Sequence, residues 1–262
     1  MTYVVALANE KGGVAKTTTT LSLGAAMVER RQEVLLVDLD PQANMTLALG
    51  LKAQALDRTI ADALLGDRSV LQMSRETALP GLDLVPANHE LTFAERYLAV
   101  RDGFEFLLRR ALEPASSYDA ILIDCPPSVG ILTQSALAAA NLLIIPTQPE
   151  YFSAHALRAM LDLIRITRQR SNPRLRYRLL LTMVDQRNRI HRTLLDQIRT
   201  AFGQAVFNTV IEIDTRLRES PLVGQPITSY APTSRAAQQY RELSQELSHY
   251  VEETVGTPQQ SA

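Results

Sequence analysis

Residues 9–19 read NEKGGVAKTTT, a glycine-rich loop between an apolar strand pattern at 3–8 and a helix pattern that continues to about Arg30. In such a strand–loop–helix context, backbone N–H groups converge on phosphate oxygens, and the start of the helix adds positive potential. Lys16 is then placed to neutralise the β- and γ-phosphates of a nucleotide, and the Thr17 hydroxyl to bind Mg²⁺. The predicted nucleotide-binding residues are Lys11, Gly12, Gly13, Val14, Ala15, Lys16, Thr17 and Thr18.

This loop departs from the usual phosphate-loop pattern, G-x-x-x-x-G-K-[ST]. Glu10 and Ala15 occupy the two positions that are normally glycine, and a second lysine, Lys11, begins the loop. The chain has three lysines against 24 arginines, yet two of the three lysines stand here. Because a compact ammonium group suits phosphate well, their placement favours a phosphate site over a solvated glycine turn.

Strand patterns alternate with helix patterns to the end of the chain. Strands are predicted at 33–38, 82–86, 120–124, 142–146, 177–184 and 205–211, and helices at 59–65, 103–112, 153–170, 192–202 and 234–253. The alternation predicts an α/β fold of P-loop NTPase type: a mostly parallel, doubly wound sheet flanked by helices. We predict a single P-loop domain at 1–255 and a disordered tail at 256–262.

Acidic residues follow two of these strands. Asp38 and Asp40 lie in the run VDLDPQ at 37–42, and Asp124 ends the apolar run that precedes a Pro-Pro turn. Carboxylates at the carboxyl ends of parallel strands can reach Mg²⁺ or position an attacking water. A single aspartate at a strand end is equally typical of a cap, so the prediction rests on their joint occurrence with the loop.

Composition indicates a globular protein. At 262 residues, 46% of them apolar, the chain can form one large α/β domain. No apolar run reaches membrane-spanning length, and a strand pattern rather than a signal peptide begins the sequence. The single cysteine, Cys125, excludes an intrachain disulfide framework and suits a reducing cytoplasm.

The net charge of −1 conceals an uneven distribution. Residues 158–241 contain 15 arginines and six acidic residues, a net charge of +9, so the rest of the chain carries −10. Such asymmetry indicates an anionic partner for the C-terminal half. No aromatic stacking platform accompanies the arginines, so the expected contacts are to phosphates and independent of sequence. Solvated helix faces are the alternative interpretation.

These motifs resemble those of the ParA/MinD ATPases, in particular the short chromosomal ParA proteins of the Soj type. The deviant Walker A loop, the VDxDPQ segment and the DxPPS segment at 124–128 occur in that family in the same order and with comparable spacing. Further similar segments at 182–185, 216–221, 224–227 and 230–237 extend the resemblance over essentially the whole chain.

The resemblance implies an ATP-dependent homodimer with ATP and Mg²⁺ as cofactors. In this family the extra lysine, here Lys11, reaches the partner's phosphates, Asp40 holds the hydrolytic water, and Asp124 lies in the magnesium shell. Lys11, Lys16 and Asp40 are thus the expected catalytic residues, and Thr17, Asp40 and Asp124 the expected metal residues. The arginines that match the family's sequence-independent contacts to double-stranded DNA are Arg187, Arg189, Arg192, Arg216, Arg218 and Arg235.

By the same resemblance, slow ATP hydrolysis is stimulated by a ParB-like or cargo adaptor protein. The expected protein is cytoplasmic and nucleoid-associated, does not bind membranes, and positions a chromosome, a plasmid or a protein complex. Ala15 stands where family members usually have glycine. If that position requires positive φ, the methyl group is unfavourable by about 1 kcal/mol, and altered nucleotide affinity or dimer geometry is expected.

Other functions stay open from the sequence. A MinD-like membrane ATPase needs a basic, amphipathic C-terminal helix, whereas residues 251–262 are acidic and then polar. A reductase like the nitrogenase iron protein needs more than one cysteine per subunit for a [4Fe–4S] cluster. A P-loop ligase gives no reason for the arginine-rich half, and a DNA-binding scaffold without turnover requires that Ala15 disables hydrolysis.

Overall fold

The structure, a computed structural model, describes residues 2–150 and 153–256. Within these residues one sheet has eight strands in the order β3-β4-β2-β5-β1-β6-β7-β8, parallel throughout except between β3 and β4. The strands are β1 (Tyr3–Leu7), β2 (Val34–Asp38), β3 (Arg75–Glu76), β4 (Leu82–Val85), β5 (Ala120–Asp124), β6 (Leu142–Thr147), β7 (Arg176–Val184) and β8 (Val206–Glu212). The predicted fold class is confirmed.

Helices cover both faces of this sheet, as a doubly wound fold requires. The helices are α1 (Lys16–Glu29), α2 (Asn44–Ala48), α3 (Ile60–Gly66), α4 (Leu91–Leu98), α5 (Leu107–Leu112), α6 (Ile131–Ala139), α7 (Ser153–Arg170), α8 (Arg189–Phe202), α9 (Arg216–Glu219), α10 (Ile227–Tyr230) and α11 (Arg235–Gly256). Helices α1, α2, α10 and α11 pack on one face, and α3 to α8 pack on the other.

The register of the central strands determines where the site forms. Leu7, the last residue of β1, pairs with Asp124 at the end of β5, and Asp38 at the end of β2 pairs with the same aspartate from the other side. All residues of β2 and β5 are buried. The glycine-rich loop and both strand-end aspartates therefore meet at one edge of the sheet, because neighbouring parallel strands end together.

Gly24 lets helix α1 pack directly on the sheet. A Cβ atom at this position would stand 2.8 Å from Leu36 Cδ2 and 3.2 Å from Leu82 Cδ1. Both leucines lie in buried strands, so a side chain here would push the helix outward. The position of α1 in turn fixes the loop that leads into it.

Among the helices that the sequence did not predict, α4 and α6 are the longest, and they were missed for different reasons. In α4 the inward-facing residues Leu91 and Leu98 are obscured by the exposed Phe93 and Tyr97, which break the apolar–polar period. Helix α6 has the sequence ILTQSALAA, in which small and apolar residues occur on nearly every side. The helix predicted at 103–112 begins as a 3₁₀ turn before α5.

The C-terminal boundary stays a prediction. Helix α11 ends at Gly256, and the other residues of the predicted tail, 257–262, lie outside the described residues. Over the described ranges, none of the helices combines the length and apolarity needed to cross a membrane.

Candidate nucleotide site

A cavity of about 480 Å³ opens where β1, β2 and β5 end. The loop between β1 and α1 forms one side through Gly12, Gly13 and residues 15–18, and Asp40 and Pro127 also line the cavity. Six of the eight predicted nucleotide-binding residues thus border the cavity. Of the other two, Val14 is buried beneath the loop and Lys11 is held at Glu150.

Side chains that are distant in the sequence hold two carbonyl groups of the loop. The Gly13 carbonyl accepts a hydrogen bond from Gln148 Nε2 at 3.2 Å, and the Val14 carbonyl accepts one from Thr182 Oγ1 at 3.1 Å. Carbonyl oxygens facing a phosphate would repel it, so fixing them elsewhere preorganises the loop for an anion. Neither Gln148 nor Thr182 was predicted, since each lies more than 130 residues from its partner.

Asn9 anchors the start of the loop and was also missed. Its Oδ1 accepts a hydrogen bond from Lys11 N at 3.0 Å, while its Nδ2 donates to the Pro146 carbonyl at 2.7 Å. Asn9 is buried, so both bonds are shielded from water and hold the loop against β6. The only sequence signal is an asparagine directly after the first strand, which is also typical of a turn.

Lys16 is a buried ammonium group at the floor of the site, with only 8% of the residue exposed. Its Nζ donates to the Lys11 carbonyl at 3.2 Å. Burial lowers its pKa, and the nearby Asp124, Cys125 and Asp40 only partly offset that effect. A bound polyphosphate would supply the counter-charge that the protein itself does not fully provide.

The two aspartates after β2 have different environments. Asp38 is fully buried and accepts hydrogen bonds from Thr46 N (2.9 Å), Thr46 Oγ1 (2.7 Å) and Asp40 N (3.2 Å). Burial raises the pKa of Asp38 to about 6. Asp40 instead lines the cavity, and its Oδ1 accepts from Gln42 N at 2.9 Å. Asp38 therefore holds the turn together, and Asp40 is the carboxylate available to a ligand.

Asp124 has the properties of a metal-shell carboxylate. It is fully buried, it accepts hydrogen bonds from Thr17 and from Thr20 Oγ1, and its Oδ2 lacks a hydrogen-bond partner among the described residues. Burial raises its pKa well above the usual range, with Asp38 adding to the effect and the Thr17 hydrogen bond opposing it. A buried, unpartnered carboxylate oxygen next to a threonine hydroxyl fits a hard cation.

Magnesium would need further oxygen ligands here. Across residues 2–150 and 153–256, no group of three His, Cys, Asp or Glu side chains could hold a metal ion. Mg²⁺ commonly keeps several waters and binds through one or two side chains plus the phosphates of a substrate. The donor set of Thr17 and Asp124 fits that mode.

Lys11 does not line the cavity of its own chain. Its Nζ lies 2.5 Å from Glu150 Oε2 and 3.1 Å from Gln148 Oε1. The Lys11 side chain is 28% exposed and that of Glu150 49% exposed, so water weakens this ion pair. The contact keeps the lysine near the surface of the loop.

Ala15 has the left-handed backbone conformation in which its methyl group is expected from the sequence to be unfavourable. Its φ is 65° and its ψ 33°, at the residue immediately before α1. Gly13 in the same loop has φ 73°. The methyl group of Ala15 is therefore accommodated in a conformation that alanine disfavours by about 1–2 kcal/mol.

Ala15→Gly is expected to stabilise the protein by up to about 1 kcal/mol, because relief of this strain exceeds the added flexibility of the unfolded chain. Arg31→Gly is the matched control: Arg31 also has positive φ (64°), is exposed, and lies beyond the opposite end of α1. Urea unfolding should show both variants stabilised, while calorimetry shows altered ADP affinity for Ala15→Gly alone. A less stable Ala15→Gly variant contradicts the strain argument.

The far end of the cavity was not predicted. Residues 211–214, the last two residues of β8 and the two that follow, line this end together with Met183, Leu217 and Pro221. These residues come from the ends of β7 and β8 and from the α9 region. Most of these side chains are apolar, and the two exceptions are the carboxylates of Glu212 and Asp214. Apolar surface suits a flat ring, and carboxylates would repel a phosphate group.

The predicted DNA-binding arginines differ in their surroundings. Arg187 pairs with Asp185 at 3.1 Å, yet its side chain is 92% exposed. The hydrogen bond from Arg187 lowers the pKa of Asp185. Arg192 donates to the Gln186 carbonyl at 2.6 Å, and Arg189 is exposed at the start of α8.

The remaining three arginines lie near the cavity. Arg235 pairs with Glu212 at 2.9 Å, and Arg218 lines the nucleotide cavity itself. Arg216 begins α9 and is exposed. Arg189 and Arg216 are therefore the best placed of the six to meet an external phosphate, whereas Arg218 and Arg235 have contacts near the cavity.

The sequence comparisons identify the family. A family model described as an AAA domain matches residues 2–177. The chromosome partitioning protein ParA of Myxococcus xanthus is 41% identical over 93% of this chain and 87% of that protein. This chain belongs to the ParA/Soj family of partition ATPases. The sporulation initiation inhibitor protein Soj of Bacillus subtilis is 39% identical over 94% of this chain and 98% of that protein.

Family membership confirms the resemblance inferred from the motifs. ParA/Soj proteins are P-loop ATPases that generally act as dimers with ATP and a partner protein. Among solved structures, a cobyrinic acid a,c-diamide synthase from Mycobacterium smegmatis with bound ATP analogue and magnesium is 35% identical, with a TM-score of 0.85 over 98% of both chains. The same relative was also solved with ADP and magnesium. The predicted cofactors, ATP and Mg²⁺, match those bound in these homologous structures.

Proposed function

We propose that this chain is a ParA-type ATPase that binds ATP with Mg²⁺, closes into a dimer, binds DNA without sequence preference, and positions or segregates a cargo. Hydrolysis to ADP and phosphate is slow and is stimulated by an adaptor protein, and the protein acts at the nucleoid in the cytoplasm. The observation that carries this proposal is the separation of the two loop lysines: Lys16 is buried beside the cavity, and Lys11 is held outside it at Glu150.

The residues around the cavity have distinct tasks in this proposal. The backbone N–H groups of the loop and Lys16 hold the phosphates, because their charges and dipoles point into one space. Thr17 and Asp124 hold Mg²⁺, which neutralises phosphate charge when bound. Asp40 lines the cavity without Asp38's internal hydrogen bonds from Thr46, so it is placed to orient the attacking water.

Lys11 serves a second copy of the chain in this proposal. Its ammonium group already has two acceptors in its own subunit, Glu150 and Gln148, and it does not line its own cavity. A phosphate of a nucleotide bound by another copy carries more charge than Glu150 and can compete for the lysine. ATP then links two subunits, while ADP, which lacks the γ-phosphate, links them less strongly.

Lys11→Ala is expected to leave ADP binding by the monomer largely intact and to abolish dimerisation with a non-hydrolysable ATP analogue. Light scattering measures the dimer and calorimetry the ADP affinity. Lys52→Ala is the matched control, since Lys52 is the third lysine of the chain and is exposed. A normal ATP-analogue dimer in Lys11→Ala would rule out the role across the interface.

DNA binding is expected to depend on exposed arginines of the basic half. The double variant Arg189→Glu, Arg216→Glu should lower the affinity for duplexes of random sequence and reduce the salt slope, because fewer phosphates are neutralised. Its ATP affinity should stay near that of the wild type. Arg110→Glu is the matched control: its side chain is 52% exposed and lies outside the basic half. If the double variant binds DNA as tightly as the wild type, the basic half does not serve DNA binding.

The structural relative cited above is named a diamide synthase, which raises a second function, amide synthesis. An amide synthase that takes nitrogen from glutamine through a cysteine nucleophile needs an accessible thiolate. Cys125 is the only cysteine of the chain, it is 1% exposed, and burial raises the pKa of its thiol. The higher identity to ParA and Soj and the inert thiol together favour the partition ATPase.

A further inference from the structure

Gln148 joins three parts of the site that are far apart in the sequence. It follows β6 and is 9% exposed. Its Oε1 accepts a hydrogen bond from Lys11 Nζ at 3.1 Å, and its Nε2 donates to the Gly13 carbonyl at 3.2 Å. The same Nε2 contacts Met183 Sδ. One side-chain amide thus contacts Lys11 at the start of the loop, the backbone of the loop and a residue that lines the cavity.

Both backbone positions beside this amide have unusual conformations. Gly13 has φ 73° and Met183 has φ 55°. For methionine this left-handed conformation is unfavourable by about 1–2 kcal/mol and persists only when its surroundings hold it. Met183 lies in β7 next to a register irregularity in the pairing with β8. The amide of Gln148 is one of the groups that surround these two positions.

We propose that Gln148 is a positioning residue that links the location of Lys11 to the shape of the phosphate loop. The proposal rests on the proposed function, in which Lys11 leaves Glu150 to reach a second copy. While Lys11 stays in its own subunit, it donates to Oε1 and so orients the amide with Nε2 toward the Gly13 carbonyl. When Lys11 leaves, that orientation loses one of its supports, and the Gly13 peptide is held less firmly.

The link has two directions, since coupling between two sites is reciprocal. A nucleotide that favours one arrangement of the Gly13 peptide shifts Lys11 between Glu150 and the second copy. Conversely, a lysine captured by the second copy changes how firmly the loop holds its phosphates. Gln148 therefore acts through Lys11 and Gly13 and need not touch the reacting atoms.

Two substitutions separate the two ends of the amide. Gln148→Glu keeps an acceptor for Lys11 and makes it anionic, but it replaces the donor to Gly13 with an oxygen. Gln148→Met is close in size and removes both hydrogen bonds. The ADP affinity of the monomer, measured by calorimetry, should fall several-fold in both variants. The affinity of dimerisation with a non-hydrolysable ATP analogue should be about tenfold lower in Gln148→Glu than in Gln148→Met. The reason is that Gln148→Glu adds a second carboxylate beside Glu150, and both retain Lys11.

The double variant Gln148→Glu, Glu150→Gln is the decisive comparison. This variant has a single carboxylate beside Lys11, as Gln148→Met does. Dimerisation should therefore recover toward the Gln148→Met value, while the loss of ADP affinity remains. If both quantities fall in step in all three variants, or dimerisation does not recover, Gln148 has only a structural role and the inference is overturned. A wild-type protein that fails to dimerise with the ATP analogue contradicts the proposed function itself, which keeps the two failures distinct.

Discussion

Lys16→Ala should lose nucleotide binding, with affinity for ATP and ADP reduced by about a hundredfold or more, the effect of removing two charge-assisted hydrogen bonds. In the wild type this ammonium group is buried, and its lowered pKa shows that the nearby Asp124 and Asp40 do not fully compensate its burial. Phosphate oxygens are the missing counter-charge. Among the described residues, no other lysine lines the cavity, and the other cation in its lining, Arg218, comes from α9 at the far end rather than from the loop.

Isothermal calorimetry with ADP and with an ATP analogue measures this loss. Lys52→Ala again serves as the control for removal of a lysine from the surface, and it should bind like the wild type. Urea unfolding of Lys16→Ala shows whether the fold persists. If Lys16→Ala binds ATP with unchanged affinity, the assignment of the loop to phosphate is wrong.

Asp40→Ala should bind ATP and dimerise but hydrolyse ATP at least about a hundredfold more slowly, the usual loss when a general base is removed. The reason is that the two aspartates after β2 have different environments. Asp38 is locked by three hydrogen bonds inside the protein, whereas Asp40 lines the cavity. The phosphate cradle of the loop is untouched by the change, so the expected outcome is a persistent ATP-bound dimer that stays on DNA.

Single-turnover phosphate release and retention of labelled ATP test this prediction. Asp38→Ala provides the contrast: it leaves the Thr46 donors without their acceptor inside the fold, so it should lower stability rather than trap the dimer. Phosphate release at the wild-type rate by Asp40→Ala would remove this residue from the mechanism.

The parts of the site that directly follow an apolar strand pattern could be predicted. The loop at 9–19 and Asp124 stand beside apolar strand patterns that the structure confirms as β1 and β5. Parallel strands end at a common edge, so the meeting of these motifs followed from the alternation of strands and helices. The conformation of Ala15 could be stated only as a condition, because alanine itself does not reveal φ.

The residues that shape the loop could not be predicted from local patterns. Gln148 and Thr182 reach Gly13 and Val14 only because β6 lies next to β1 in the sheet and β7 lies next to β6. Their roles depend on hydrogen bonds across more than 130 residues, and a single sequence carries no signal of such pairs. The same limit applies to the arginines: the charge count did not show that Arg235 is paired with Glu212.

The residues of the site do not select the cargo. The basic half of the chain meets the requirement for contact with phosphates, since Arg189 and Arg216 are exposed near the nucleotide-bearing edge. Contacts of this kind are independent of base sequence, so in our proposal they would hold the protein on DNA without selecting a locus. Selection of a cargo is then the task of the adaptor protein in our proposal.

A salt titration of duplex binding in three nucleotide states tests the central claim most directly. Wild-type protein is titrated onto random-sequence DNA without nucleotide, with ADP and with a non-hydrolysable ATP analogue. We predict tight binding only with the ATP analogue, and a salt slope about twice that of the residual binding in ADP, because a dimer neutralises about twice as many phosphates. Equal affinity and equal slope in all three states would contradict the account.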